Sequence, residues 1–185
     1  MNKPRNFYKD TYHHIYNRGA NKGKIFFDKN DYLYFLKKLK EYKDKFQIKI
    51  LCYCLMPNHF HLFLKQTTNE YPLNLLLSHL INSYTKSINK KYVRSGVLFE
   101  GKTKSKHCAE ESYFKWIFKY ILCNPVKDGL VKHPIGWEFS NAKELFGMRK
   151  GKLCNNDETF EFFDSKKQLH EFITNEKIKV IYDVW

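Results

Sequence analysis

The sequence predicts an α+β domain in which an antiparallel sheet carries helices on one face and leaves the other face open for substrate. Three observations carry that reading. Residues 48–56 and 59–65 are apolar runs of strand length, and Pro57-Asn58 between them turns the chain as a hairpin. Residues 32–45 and 72–92 repeat apolar side chains at helical spacing. In chain order the segments read β-α-β-β-α-β-α, with no internal repeat and no low-complexity tract.

The first strand is expected over residues 11–18, TYHHIYNR, and ends at Gly19. Asp28 or Asn30 can cap a helix over 32–45, whose stripe is Leu36 and Leu39 with Leu33 and Tyr42. The hairpin supplies the second and third strands. The helix over 72–92 carries Leu73, Leu76, Leu77, Leu80, Ile81 and Tyr84. Residues 97–108 read as a strand followed by a basic segment, with Lys102, Lys104 and Lys106 at alternate positions. A third helix is expected from about residue 110 to 123. It ends at Asn124-Pro125, because a residue before proline avoids helical dihedrals. After a turn-rich stretch through Gly151, residues 157–173 read as helix and 177–184 as a short strand.

A chain of 185 residues suits one domain with a small appendage. The net charge of +14, from 33 Lys+Arg against 19 Asp+Glu, points to a polyanionic partner, nucleic acid first. An anionic membrane surface fits less well, since no apolar segment approaches spanning length and the basic residues are scattered. Thirteen Tyr and 16 Phe exceed what a charged tail carries; most fill a core, and rings interleaved with cations suit single strands. Five cysteines without a C-x-x-C pair argue against a disulfide framework or a zinc site and for reduced thiols in a cytoplasm. The polar start, MNKPRNFYKD, lacks the apolar core of a signal peptide.

Two short motifs carry chemistry. In LCYCLMPNHFHLFLK, His59 and His61 stand two apart, so on a strand they project together while Phe60, Leu62 and Leu64 bury the other face. Two imidazoles side by side are half of a divalent-metal site. Alone, the pair reads equally as solvated histidines on a strand edge. On the third helix, Tyr120 and Asn124 lie about 40° apart, on the shoulder of a stripe of Phe114, Ile117, Phe118 and Ile121. Alone, they read as a boundary tyrosine and a helix-ending asparagine.

The chain carries in order the blocks YHHIYNRG (12–19), LMPNHFHLF (55–63), GVLFEGK (96–102), YILCNPVKDGLV (120–131) and GWEFS (136–140). On them the chain resembles the single-tyrosine HUH transposases, most closely the REP-associated tyrosine transposases, from about residue 12 to 140. The resemblance implies a ferredoxin-like sheet with H-x-H on a central strand and a nucleophilic tyrosine on a facing helix. It implies residues 1–150 as the transposase domain and 151–185 as a C-terminal extension of uncertain structure. It matches His59 and His61 to the family's metal histidines, Tyr120 to its nucleophile and Asn124 to its polar third ligand. Lys102 stands where the family often has Arg, which puts a bidentate phosphate or guanine contact there in question.

The reaction so implied is cleavage and rejoining of single-stranded, hairpin-containing DNA through a 5′-phosphotyrosine link, with Mg²⁺ or Mn²⁺ and no nucleotide cofactor. Arg18, Lys22, Lys24, Lys102, Lys104 and Lys106 are the candidate DNA contacts; collectively they predict a steep loss of affinity with salt. The oligomeric state is read as monomer or homodimer. His13, His14 and His107 are alternatives to Asn124 as third ligand, although neighbouring His13 and His14 point to opposite faces of a strand. Tyr84 is the rival nucleophile, but Asn89, five residues on, lies about 140° away around its helix. The competing functions are a non-catalytic or domesticated single-stranded nucleic-acid-binding protein, and a metal-dependent phosphodiesterase that uses water.

Overall fold

A computed structural model describes residues 7–175. Four strands, β1 (Thr11–Arg18), β2 (Ile48–Met56), β3 (His59–Gln66) and β4 (Lys104–Cys108), form one sheet in the order β2-β3-β1-β4, with every pair antiparallel. This is the expected α+β, ferredoxin-like arrangement, with the H-x-H strand in a central position.

Helices α1 (Lys29–Lys45) and α2 (Leu73–Lys91) pack together on one face. Helix α1 starts before residue 32 because Asp28 and Asp31 form a reciprocal capping box, worth about 1 kcal/mol. Asp31 is itself buried and accepts from Lys91 Nζ and Tyr92 Oη, at 2.7 and 2.8 Å, which ties the start of α1 to the end of α2. The buried stripe of α1 is Tyr32, Phe35 and Leu39, with Leu36 and Tyr42 at its margin, and Leu33 points to solvent. The expected inclusion of Leu33 is thereby corrected by one step around the helix.

Helix α3 (Glu111–Lys127) covers the opposite face of β2 and β3, together with α4 (Ala142–Leu145) and α6 (Lys166–Thr174). The face expected to stay open is therefore mostly closed. Along β2 the register steps between Ile50 and Cys52, so that Leu51 and Cys52 both face α3. Helix α3 also runs through Pro125 instead of ending before it. Proline removes one backbone bond, but the packing of Phe118, Ile121 and Leu122 fixes the helix, and Gly129 at φ 70 closes it two residues beyond Lys127.

Residues 97–103 are not strand, apart from a bridge between Gly19 and Phe99; the fourth strand is the basic segment itself. The single helix expected over 157–173 is two, α5 (Asn156–Phe160) and α6, broken at 161–165. Helix α6 packs on α3 through Leu169 and Ile173, with Phe163 from the intervening break in the same cluster, and Lys119 Nζ donates to the carbonyl oxygen of Phe172 at 3.0 Å. The strand expected at 177–184 lies outside the described residues. Among the described residues no helix is long and apolar enough to cross a membrane.

Candidate active site

Strand β3 does what its alternation requires. Phe60, Leu62 and Leu64 are completely buried against α1 and α2, and His59 and His61 project to the α3 side. There α3 brings Tyr120 and Asn124, one turn apart, down onto them. The Tyr120 ring stands edge-on to His61 with centroids 5.2 Å apart, and Asn124 Oδ1 lies 3.3 Å from His59 Nε2. All four side chains are buried, between 0 and 6% exposed. They converge although 59 to 65 residues of chain separate the two motifs.

The hydrogen bonds around Asn124 and His59 fix which atoms face each other. Asn124 Nδ2 donates to the Tyr120 carbonyl at 2.8 Å, so the oxygen of that amide is the atom turned toward His59. Asn58 Nδ2 donates to the Lys22 carbonyl at 3.3 Å, so Asn58 Oδ1 accepts from His59 Nδ1–H at 2.7 Å. That leaves the lone pair of a neutral His59 Nε2 opposed to a lone pair of Asn124 Oδ1. A proton or a cation between them relieves the opposition. Burial first of all lowers the His59 pKa, only partly offset by Asn124 and Asp128, which disfavours the proton. Two imidazoles and an amide oxygen are a donor set that fits a divalent cation, which His59 Nε2, Asn124 Oδ1 and His61 would hold. Among the described residues no three His, Cys, Asp or Glu side chains form a metal-binding group, so the amide oxygen is an essential member of such a set.

His14 completes the arrangement. It lies on the H-x-H face, fully buried, with Nε2 3.0 Å from His61 Nδ1 and its ring 5.7 Å from that of Tyr120. A His61 that uses Nε2 as a ligand must carry its proton on Nδ1 and donate it to His14 Nε2. In that arrangement His14 would fix the tautomer and ring orientation of His61. Burial, and then His14 and His59, hold His61 well below the ordinary imidazole range, and burial brings His14 down to about 3. His13 points to the other face, where it meets Thr11 Oγ1 and the ring of His107, so neither it nor His107 reaches the site. The sequence placed His14 among possible ligands; its bond to His61 depends on the β1–β3 register, which the sequence does not display. Tyr84, the rival nucleophile, is buried in the opposite core with its hydroxyl donating to the Ile25 carbonyl at 2.7 Å.

These histidines make the fold acid-sensitive. Burial depresses His13 to about 4 and His14 to about 3, from about 6.5 in the unfolded chain. A depressed folded pKa contributes stability that is complete above pH 6.5 and lost as pH falls toward the folded value. Each such group costs about 1.4 kcal/mol per pH unit in that window. The urea midpoint is expected to be flat from pH 8 to 7 and to drop steeply between pH 6.5 and 5, where few carboxylates titrate. A midpoint unchanged at pH 5 contradicts this burial.

A cleft of about 290 Å³ opens over His59, Tyr120 and Asn124, and Arg18, Lys22 and Lys127 line its mouth with Asp128. Lys24 lines an adjoining cleft with Lys22 and Asn58. Lys104 and Lys106 stand exposed on β4, on the same face as His14, next to the rings of Tyr16 and Tyr113. Lys102 is exposed in the turn before β4 and lines none of these clefts. Lys127 and Asp128 escaped the sequence reading because α3 was expected to stop before them.

The family described as "Transposase IS200 like" matches residues 7–123. The chain belongs to that family. No curated protein matches this IS200-like transposase. Among solved structures, it is similar to a REP-associated tyrosine transposase bound to a REP hairpin. That likeness has TM-score 0.67 and 15% identity, and covers 84% of this chain and 94% of the other. A putative transposase from Deinococcus radiodurans is 15% identical, with TM-score 0.45 over 65% of this chain and 95% of the other.

Proposed function

We propose that this IS200-like transposase cuts and rejoins single-stranded DNA through a covalent link to Tyr120, on substrates that contain a hairpin, as an enzyme of the REP-associated type. The observation that carries the reading is the convergence of Tyr120 and Asn124 on the His59/His61 pair, beneath a cleft rimmed by cations. The hairpin is supported by the fold shared with the REP-bound transposase.

In the reaction, Arg18, Lys22 and Lys127 draw the strand into the cleft and hold its phosphates, so that the scissile phosphorus meets Tyr120 Oη. The phenol oxygen bonds to phosphorus as the bond to the 3′ oxygen of the upstream piece breaks. The phenolic proton is released and the departing oxygen takes one up. The product is a 5′-phosphotyrosine with a free 3′-hydroxyl, and attack by another 3′-hydroxyl reverses the step and joins the strands. A phenol with an ordinary pKa near 10 is a weak nucleophile at neutral pH. A bound Mg²⁺ or Mn²⁺ supplies Lewis-acid polarisation of the phosphate and offsets the charge that develops on its oxygens. His59 Nε2, Asn124 Oδ1 and His61 would hold it, and His14 keeps His61 in the ligating tautomer.

The test is capture of a labelled single-stranded hairpin on a denaturing gel in the presence of Mn²⁺. Retention of label by the denatured protein supports the reading; binding without capture in any divalent metal points to a non-catalytic module. The role of His14 is tested separately, on protein without DNA. His14→Ala is expected to weaken Mn²⁺ binding about 10- to 100-fold, and His14→Gln, whose amide oxygen can still accept from His61, to restore most of it. Equal Mn²⁺ affinity in wild type and His14→Ala contradicts that role.

A further inference from the structure

Beside the proposed active site lies a second cleft, of about 520 Å³, between the loop that follows β1 and the residues that lead into β4. Arg18, Asn21, Lys22, Val97, Phe99 and Glu100 line it. It shares Arg18 and Lys22 with the cleft over Tyr120, so the two clefts adjoin. Its volume lies in the range of pockets that bury a small ligand, and one nucleotide fits it.

The walls are built rather than incidental. Gly19 approaches Gly23 so closely that a Cβ at residue 19 would sit 2.0 Å from the Gly23 carbonyl oxygen. Asn21 and Lys22 follow at φ 53 and 58, the left-handed region that costs a lysine about 1 kcal/mol. Backbone bonds tie this loop to both neighbours: Gly19 N to Asn58 O at 2.8 Å, Ala20 N to Leu98 O at 3.0 Å, and Glu100 N to Arg18 O at 2.8 Å. One wall is thus fixed to the H-x-H turn and the other to β1. Across the cleft, Arg18 and Glu100 form a two-point ion pair, with Nη2 to Oε1 at 2.9 Å. Such an exposed pair adds little stability, and its effect is to hold both side chains in one plane. Glu100 remains about half exposed, and a carboxylate has lone pairs to spare beyond the two that Arg18 occupies.

We propose that this cleft seats one unpaired nucleobase of the strand next to the scissile phosphate, and that Glu100 selects bases carrying an exocyclic amino group against thymine. The proposal rests on the single-stranded DNA reading given above. Arg18 and Lys22 meet the phosphate, the guanidinium–carboxylate plane and the exposed Val97 offer contact surface, the buried Phe99 forms the floor, and Asn21 adds an amide donor and acceptor. The ionised Glu100 only accepts. Adenine, cytosine and guanine can each donate an amino hydrogen to it, whereas thymine presents its single N–H between two carbonyl oxygens that the carboxylate repels.

The experiment measures binding of hairpin oligonucleotides in which a single thymine is walked through each flanking position. Wild type is expected to lose about tenfold in affinity when thymine occupies one of them. In Glu100→Gln, whose amide also donates, the ratio of affinities between the other bases and thymine at that position is expected to shrink to about twofold. If Glu100 merely positions Arg18, the variant weakens every oligonucleotide alike, and the proposal falls. It falls equally if wild type tolerates thymine everywhere. Covalent capture on the same oligonucleotides is read in parallel. Capture without base preference overturns the cleft alone, and base preference without capture overturns the Tyr120 reading and leaves the cleft standing.

Discussion

Tyr120→Phe is expected to abolish covalent capture of single-stranded DNA, by at least about 10³-fold, and to leave the fold and DNA binding intact. The variant deletes one oxygen atom. The ring keeps its edge-on contacts with His14 and His61, so the core loses no volume and α3 keeps its seat. A buried hydroxyl is worth on the order of 1 kcal/mol, which a domain of this size tolerates. In the proposed reading, binding falls to Arg18, Lys22 and Lys127 around the cleft, none of which the substitution touches. The check is gel capture beside an equilibrium binding titration at one salt concentration. Undiminished capture by the variant moves the nucleophile elsewhere, although Tyr84 is sealed in the opposite core.

His59→Ala is expected to cost about 10²- to 10³-fold in divalent-dependent cleavage, the several kcal/mol that phosphate polarisation supplies. It removes the Nε2 that faces Asn124 and releases Asn58 from its 2.7 Å bond. Asn124 still bonds the Tyr120 carbonyl, so the helix turn that carries the nucleophile stays in register. The expected signature is a rate that no longer responds to Mn²⁺ concentration, with affinity for the oligonucleotide within about twofold of wild type. An unchanged metal response places the cation away from this histidine.

Much of this arrangement was legible in the sequence, and the parts that were not share a cause. Strand parity placed His59 and His61 on one face and Phe60, Leu62 and Leu64 on the other, because alternation is a local property of the backbone. The bounds of β1 and β2, and the start of β3 at His59, follow equally from local pattern and the Pro57-Asn58 turn. What local pattern misjudged was decided by tertiary packing. Helix α3 runs through Pro125 because its apolar stripe is held against the sheet, and that carries Lys127 and Asp128 to the cleft. Leu33 faces water because the buried stripe runs through Tyr32, Phe35 and Leu39, which turns residue 33 away from the core. The lysines of β4 form a strand despite their charge because the edge needs only one buried end, at Cys108. His14 acquires its partner from register across two strands, and the Arg18–Glu100 pair joins residues 82 apart. Distance in sequence hides such pairs.

The measurement that bears most directly on the central claim is polarity-resolved capture. A single-stranded hairpin labelled at its 5′ end in one sample and at its 3′ end in another is incubated with wild-type protein and Mn²⁺, then denatured. Attack by Tyr120 on the phosphorus with loss of the 3′ oxygen leaves the downstream piece on the protein. The 3′ label is therefore expected to migrate with the protein and the 5′ label to appear on a free, shortened strand that a polymerase can extend. Retention of the 5′ label instead, or cleavage with both labels free, would contradict a 5′-phosphotyrosine at Tyr120.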